Sequence, residues 1–313
     1  SPPDPSTSKT NLDVSEDRRE DQLCPDDPER LKQQQLVGGE APNTNEMLHF
    51  TPKLLTESGK TSYRFRCPGP GGFQCALTRL VFVTTQEAEL LYNTVQWDKS
   101  LLQSAGKMAA GPLFEIKCSE EAAVCQLHLP HCETKDALLV DGLLSVVHIT
   151  DDGMSILEPL KITDTHVVVK VPHLSIFGLI CDIAIRILNI SLAIHAQVLV
   201  FLRPPDISPR ELNVLLLPGN VSLDEVKKQH EDAKHIQIPS DCYLRFNQNY
   251  SLHCEPEGCD IDPKSAPFIL NYANCHPTFQ VFLEKIPEKM TLKLKDQENR
   301  EVLERDVRLR GKG

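Results

Sequence analysis

From Ser62 to Val171 apolar side chains recur at a period of two, in short runs separated by turn residues. That period sends alternate side chains to opposite faces of an extended strand, so this segment can bury its apolar face only as a sheet against another layer. Residues 62–67 alternate, Pro68-Gly-Pro-Gly-Gly72 turns the chain, and residues 73–77 resume the pattern. Residues 78–84 are β-branched, and 111–118 and the strictly alternating 123–129 read as two further strands. Residues 88–102, with Leu90, Leu91, Tyr92, Val95 and Trp97, also fit a strand. Residues 143–149 run into Asp151-Asp152-Gly153, a hairpin signal, and 155–162 with 166–171 complete an antiparallel meander.

The second half has the same texture. Residues 197–202 and 211–217 are strands around a Pro-rich loop, and later ones are expected at 243–246, 268–270, 278–283, 290–294 and 302–309. Ser222-Leu-Asp-Glu225 matches a capping box opening a helix to about Ala233. Between the halves, residues 176–194 form the most apolar segment, interrupted by Asp182, Arg186 and Asn189. Ile183, Ile187, Leu188 and Ile190 suit a helix with one buried face, docked on the protein rather than crossing a membrane. The expected fold is therefore all-β: two consecutive antiparallel β-sandwiches, residues 47–174 and 175–313, with a short helix after the junction. Residues 1–46, rich in Pro, Ser, Asp, Glu and Gln, are expected to be a disordered tail or linker.

Composition narrows the function classes. A net charge of -11 lacks the Lys/Arg excess that phosphate neutralisation requires, which argues against a nucleic-acid binder. Eleven cysteines without a recurring tight spacing favour a reducing, cytoplasmic setting. Three Asn-x-Ser sequons, at Asn189, Asn220 and Asn249, point the other way, towards a secreted module with disulfides. The start at Ser1 reads as a piece of something longer. No Gly-x-Gly-x-x-Gly, P-loop or Gly-x-Ser-x-Gly elbow supports nucleotide chemistry or a conventional hydrolase, and no cofactor is expected.

Two sets of residues could carry chemistry. His128, His131 and Cys132, with His253, Cys254, Cys259, Cys275 and His276, superficially resemble a metal site. Only Cys254 and Cys259 approach ligand spacing, so no metal is expected. The second set centres on Ser175. Its hydroxyl beside a strained bond could attack the Leu174 carbonyl in an N-to-O acyl shift, given a base and oxyanion donors. Equally, Ser175 could simply cap a helix beginning at Ile176. His148 is a candidate base, with His166 and His173 as competitors and Asp152 or Glu158 as orienting carboxylates. A strict meander would leave a strand between His148 and Ser175, so contact would need a bend at Pro172.

Gly111-Pro-Leu-Phe114, Leu127-His-Leu-Pro-His131, Asp152-Gly-Met154 and Pro172-His-Leu-Ser-Ile-Phe-Gly178 occur in this order. Together they resemble the function-to-find domains of inflammasome-forming NOD-like receptors and related caspase-recruitment-domain proteins, especially fish-type members. The resemblance implies a ZU-five-like sandwich followed by a UPA sandwich, cytosolic and active in innate immunity. It also implies one intramolecular cut between Leu174 and Ser175, with His148 as catalytic histidine and the complementary fragments staying associated. No turnover of an external substrate is implied. Members that cleave well usually carry Phe where this chain has Leu174, and the position of a glutamate implicated with the histidine falls on Leu157. Partners implied by the resemblance are caspase-recruitment-domain proteins and a cytosolic dipeptidyl peptidase. The alternative of another class is a non-cleaving interaction scaffold, as in netrin-receptor and ankyrin relatives of the same folds.

Overall fold

The computed structural model describes residues 47–206, 209–272 and 274–310; the tail expected over residues 1–46 lies outside them. Residues 48–182 supply β1 (Leu48–Phe50), β2 (Lys53–Glu57), β3 (Lys60–Cys67), β4 (Gly71–Cys75), β5 (Val81–Thr84), β6 (Ala88–Val95), β7 (Lys107–Cys118), β8 (Val124–Pro130), β9 (Leu144–Thr150), β10 (Gly153–Leu157), β11 (Lys161–Ile162), β12 (His166–Lys170) and β13 (Ile176–Asp182). They form a six-stranded sheet in the order β1-β4-β5-β8-β12-β11 and a seven-stranded sheet in the order β10-β9-β13-β7-β6-β3-β2. All pairings are antiparallel except β1 with β4. Tyr63, Phe82, Tyr92, Phe114, Leu127 and Phe177 fill the space between the sheets.

A second sandwich follows from β14 (Ala193–Leu202), β15 (Arg210–Pro218), β16 (Lys234–Ile236), β17 (Asp241–Arg245), β18 (Asn249–Glu255), β19 (Asp260–Asp262), β20 (Ala266–Pro267), β21 (Phe279–Leu283), β22 (Lys289–Lys295) and β23 (Glu301–Arg308). One sheet runs β16-β14-β15-β21-β19 with β17 also on β14, and the other runs β20-β18-β22-β23. Its core holds Val198, Val214, Phe268, Phe279, Leu292 and Val307. The all-β, two-sandwich expectation therefore stands.

Three local expectations are corrected. Residues 176–194 do not form one helix: Ile176–Asp182 is β13, and only α3 (Ile183–Leu188) is helical, beginning where the Asp182 carboxylate accepts from Ile185 N at 3.0 Å. Burial on both faces explains the run of apolar residues, because a strand in mid-sheet reads as continuously hydrophobic. The expected division at Ser175 accordingly gives way to one after α3, since β13 is an inner strand of the first sandwich. Residues 88–102 likewise split, with Asp98 capping α1 (Lys99–Ser104) through a bond from Leu101 N at 3.1 Å. Helix α2 (Lys135–Leu138) completes the first sandwich.

The capping box at Ser222 is only half right. Helix α4 (Leu223–Gln229) forms, but Ser222 makes no side-chain cap bond and its buried Oγ has no partner among the described residues. Glu225 turns instead to the first sandwich, where it accepts from the Tyr63 hydroxyl and from Thr94 Oγ1. The sandwiches are further tied by Asn220, whose Nδ2 donates to the carbonyls of Ala110 at 3.0 Å and Pro130 at 3.1 Å. Tyr272 Oη donates to its Oδ1 at 2.9 Å. With 2% exposure and its amide engaged, Asn220 offers no glycan acceptor in the folded chain.

Packing on β13 is close at Gly178, where a Cβ would stand 2.6 Å from Trp97 Cη2 and 2.9 Å from Leu113 Cδ1. Gly178→Ala is expected to cost about 1–3 kcal/mol through overpacking, read as a lower denaturation midpoint with unchanged slope.

Candidate functional site

The chain passes from one sheet of the first sandwich to the other between β12 and β13. Val171 N still donates to the Cys125 carbonyl in the six-stranded sheet, whereas the Ser175 carbonyl accepts from Ile116 N at 2.9 Å in the seven-stranded one. Only Pro172, His173 and Leu174 lie between. Packed sheets stand about 10 Å apart and a residue spans at most about 3.6 Å, so this crossing has little slack. Pro172 and His173 are exposed, while Leu174 leans on the first core. Ser175 is therefore the residue before a central strand, not the cap of a helix.

His148 stands on β9, directly hydrogen-bonded to β13, with Phe177 as its cross-strand partner. The meander reading had placed a strand between them. Instead β10 lies on the outer side of β9, β11 and β12 join the opposite sheet, and β13 inserts between β9 and β7. The His148 ring stacks on Phe177 at 4.5 Å and 11° and meets the edge-on His173 ring at 4.6 Å. It is 3% exposed, and its Nε2 has no hydrogen-bond partner among the described residues. Burial, and then the His173 imidazole, hold His148 below the ordinary histidine value, against a raising bond with the His173 backbone. The ring is thus neutral at pH 7, the form a base requires.

The hydroxyl of Ser175 does not reach that nitrogen in the resting geometry. It donates to the carbonyl of Ile149 at 2.6 Å, one residue beyond His148. Asp152 and Glu158 are exposed, and neither is hydrogen-bonded to His148 among the described residues. Asp152 lies in the β9–β10 turn, where its backbone N donates to Thr150 Oγ1 at 3.2 Å. Glu158 follows the end of β10. Leu157 is nearer in register: Ser155 pairs with His148 and Leu157 with Val146, which makes Leu157 a diagonal neighbour on the same face. Phe177 was not singled out by sequence reasoning. Only the strand register, set by long-range pairing, brings its ring onto the imidazole.

The metal-like residues do not converge, and no group of three ligating side chains occurs among the described residues. His131 Nε2 bonds the Thr163 carbonyl at 2.8 Å, and its Nδ1 accepts from Glu133 N at 3.0 Å. Cys132 Sγ faces Tyr272 Oη at 3.7 Å, His253 bonds Ser251 Oγ at 2.9 Å, and Cys275 is a buried free thiol. Cys254 and Cys259 are joined as a disulfide. His276 is exposed. Burial first, then His166 and Lys161, push His128 down to about 4. Between 6.5 and that value the unfolded chain binds a proton that the folded chain refuses, so stability falls as pH drops through this window. The full loss is about 3 kcal/mol, and His128→Gln is expected to flatten the pH dependence of the denaturation midpoint.

Sequence models of known families match across both sandwiches. The function-to-find model matches residues 56–187, and a UPA-FIIND domain model matches residues 194–307. The chain belongs to the function-to-find family. Its first match runs through β13 and stops at α3, and its second starts on β14, in agreement with the sheets. Caspase recruitment domain-containing protein 8 of Pongo abelii is 26% identical over 185 residues, 57% of this chain and 42% of that protein. NACHT, LRR and PYD domains-containing protein 1b allele 1 of Mus musculus is 33% identical over 126 residues, 39% of this chain and 10% of that protein. The function-to-find chain thus aligns with about two fifths of the first relative's length and about a tenth of the second's. No helix among the described residues is long and apolar enough to cross a membrane.

Proposed function

We propose that this function-to-find chain is a self-cleaving regulatory module that cuts itself once between Leu174 and Ser175. The observation that carries the reading is the buried, neutral His148, whose Nε2 is unpartnered among the described residues, on the strand paired with the one that Ser175 precedes. In the reaction Ser175 Oγ leaves the Ile149 carbonyl and attacks the Leu174 carbonyl carbon, while His148 takes its proton. Collapse of the tetrahedral intermediate breaks the Leu174–Ser175 C–N bond, and the nitrogen regains a proton as it becomes the Ser175 amine. Water then hydrolyses the ester, leaving a Leu174 carboxylate and a free Ser175 hydroxyl. Asp152 and Glu158 keep at most a remote electrostatic role, and His173 is the alternative base.

Topology supports retention of the fragments. After the cut, β13 belongs to the C-terminal piece yet stays bonded to β7 and β9 of the N-terminal piece. Each fragment is the other's first partner. The names of the relatives, with their caspase recruitment, NACHT, LRR and PYD domains, support a role in a cytosolic inflammasome sensor of innate immunity. Caspase-recruitment-domain proteins and a cytosolic dipeptidyl peptidase are the proposed further partners.

Intact mass after denaturation tests the cut. The parent chain should give two fragments, one ending at Leu174 and one beginning at Ser175, and Ser175→Ala should give a single chain. An uncut parent overturns the mechanism. That result would favour the non-cleaving scaffold, a reading supported by the 2.6 Å bond that ties the Ser175 hydroxyl to Ile149.

A further inference from the structure

An apolar cavity of about 500 Å³ opens between the two sandwiches, and Ser175 is not on its lining. Trp97, Met108 and Ile183 line it from the first sandwich, and Phe246, Ile269 and Tyr272 from the second. Its size lies within the range of about 300–1,000 Å³ typical of small-molecule sites. Both aromatic polar groups on its wall are already used. Trp97 Nε1 donates to the Gly111 carbonyl at 3.0 Å, and Tyr272 Oη donates to Asn220. Neither is left to orient a polar ligand body, so hydrocarbon suits the interior.

The rim is different. Lys99 and Lys107 both border the cavity. Lys107 pairs with Asp182 at 3.3 Å, but Lys99 is exposed and has no ion pair among the described residues. Ile187 and Ile269, also on the lining, are 55% and 51% exposed, apolar surface that a bound chain would cover. A flexible hydrocarbon tail with an anionic head matches both features. We propose that this cavity binds a medium-chain fatty acid, with the acyl chain between the sandwiches and the carboxylate at Lys99. Binding does not depend on the cut at Ser175. The site would bridge the two sandwiches, and its occupant would hold them together.

Trp97 is the only tryptophan in the chain and lines the cavity, so it reports occupancy directly. The full chain would be titrated with monomeric ω-bromoundecanoic acid, whose bromine quenches indole emission on contact. Saturable quenching is expected, together with a rise in melting temperature. Ala109→Leu, which fills the cavity, and Lys99→Glu, which reverses the rim charge on an exposed side chain, are each expected to weaken binding by about tenfold. The matching bromo-alcohol should bind more weakly than the acid. Quenching that never saturates, that is unchanged in Lys99→Glu, or that needs anionic phospholipid vesicles would overturn the proposal. Lys99→Glu keeps the test decisive if Ala109→Leu disturbs folding.

Discussion

Truncating Glu133 to alanine is expected to lower the unfolding free energy by about 3–5 kcal/mol, measured as a reduced denaturant midpoint. Glu133, just after β8, and Arg186, on α3, are 2% and 4% exposed. Both terminal guanidinium nitrogens, Nη1 and Nη2, donate to the two carboxylate oxygens, one of the bonds at 2.9 Å. Removing the carboxylate strands a charge that cannot be shed, because arginine stays protonated in proteins. The position raises the cost further. The Glu133 backbone bridges to Ile194 at the start of β14, and Cys132 beside it is packed in the second core. Replacing both partners by apolar residues, Glu133→Leu with Arg186→Met, is expected to recover most of the loss. The pair's own net contribution is small beside the penalty of breaking it.

His148→Ala is expected to slow appearance of the Ser175 fragment by about 10²–10⁴-fold in pulse-labelled cell-free translation. The parent rate should hold at neutral pH and decline on acidification, with a midpoint below 6.5, because burial and His173 favour the neutral ring. A base works only while unprotonated, so the loss runs toward acid. Cleavage that survives the substitution would transfer the role to His173, which is exposed and meets the same ring edge-on. Phe177→Leu separates positioning from chemistry: it removes the face on which His148 stacks while leaving the nitrogen that takes the proton. The rate should drop with little change in the midpoint.

Much of this molecule could be read directly from residue patterns. A period of two marks most strands in both halves, since half-buried strands must alternate. Ser175, Leu174 and His148 were candidates from local chemistry and family resemblance. Where the reading failed, neighbours distant in sequence supplied the reason. The segment after Ser175 looks helical because a strand buried on both faces loses its alternation, and only pairing with β7 and β9 reveals it. Ser222 and Glu225 satisfy a capping pattern, yet Glu225 is drawn away by Tyr63 and Thr94 across the sandwich junction.

The alternating runs and turn residues by themselves determined an all-β chain with two cores. Those properties depend on neighbours a few residues apart. The tertiary structure alone decided which sheet receives β13, that His148 faces Phe177 rather than a carboxylate, and that a lysine-rimmed apolar cavity opens between the sandwiches. Each depends on which strands pair across long stretches of chain, and a local pattern of side chains does not encode that choice.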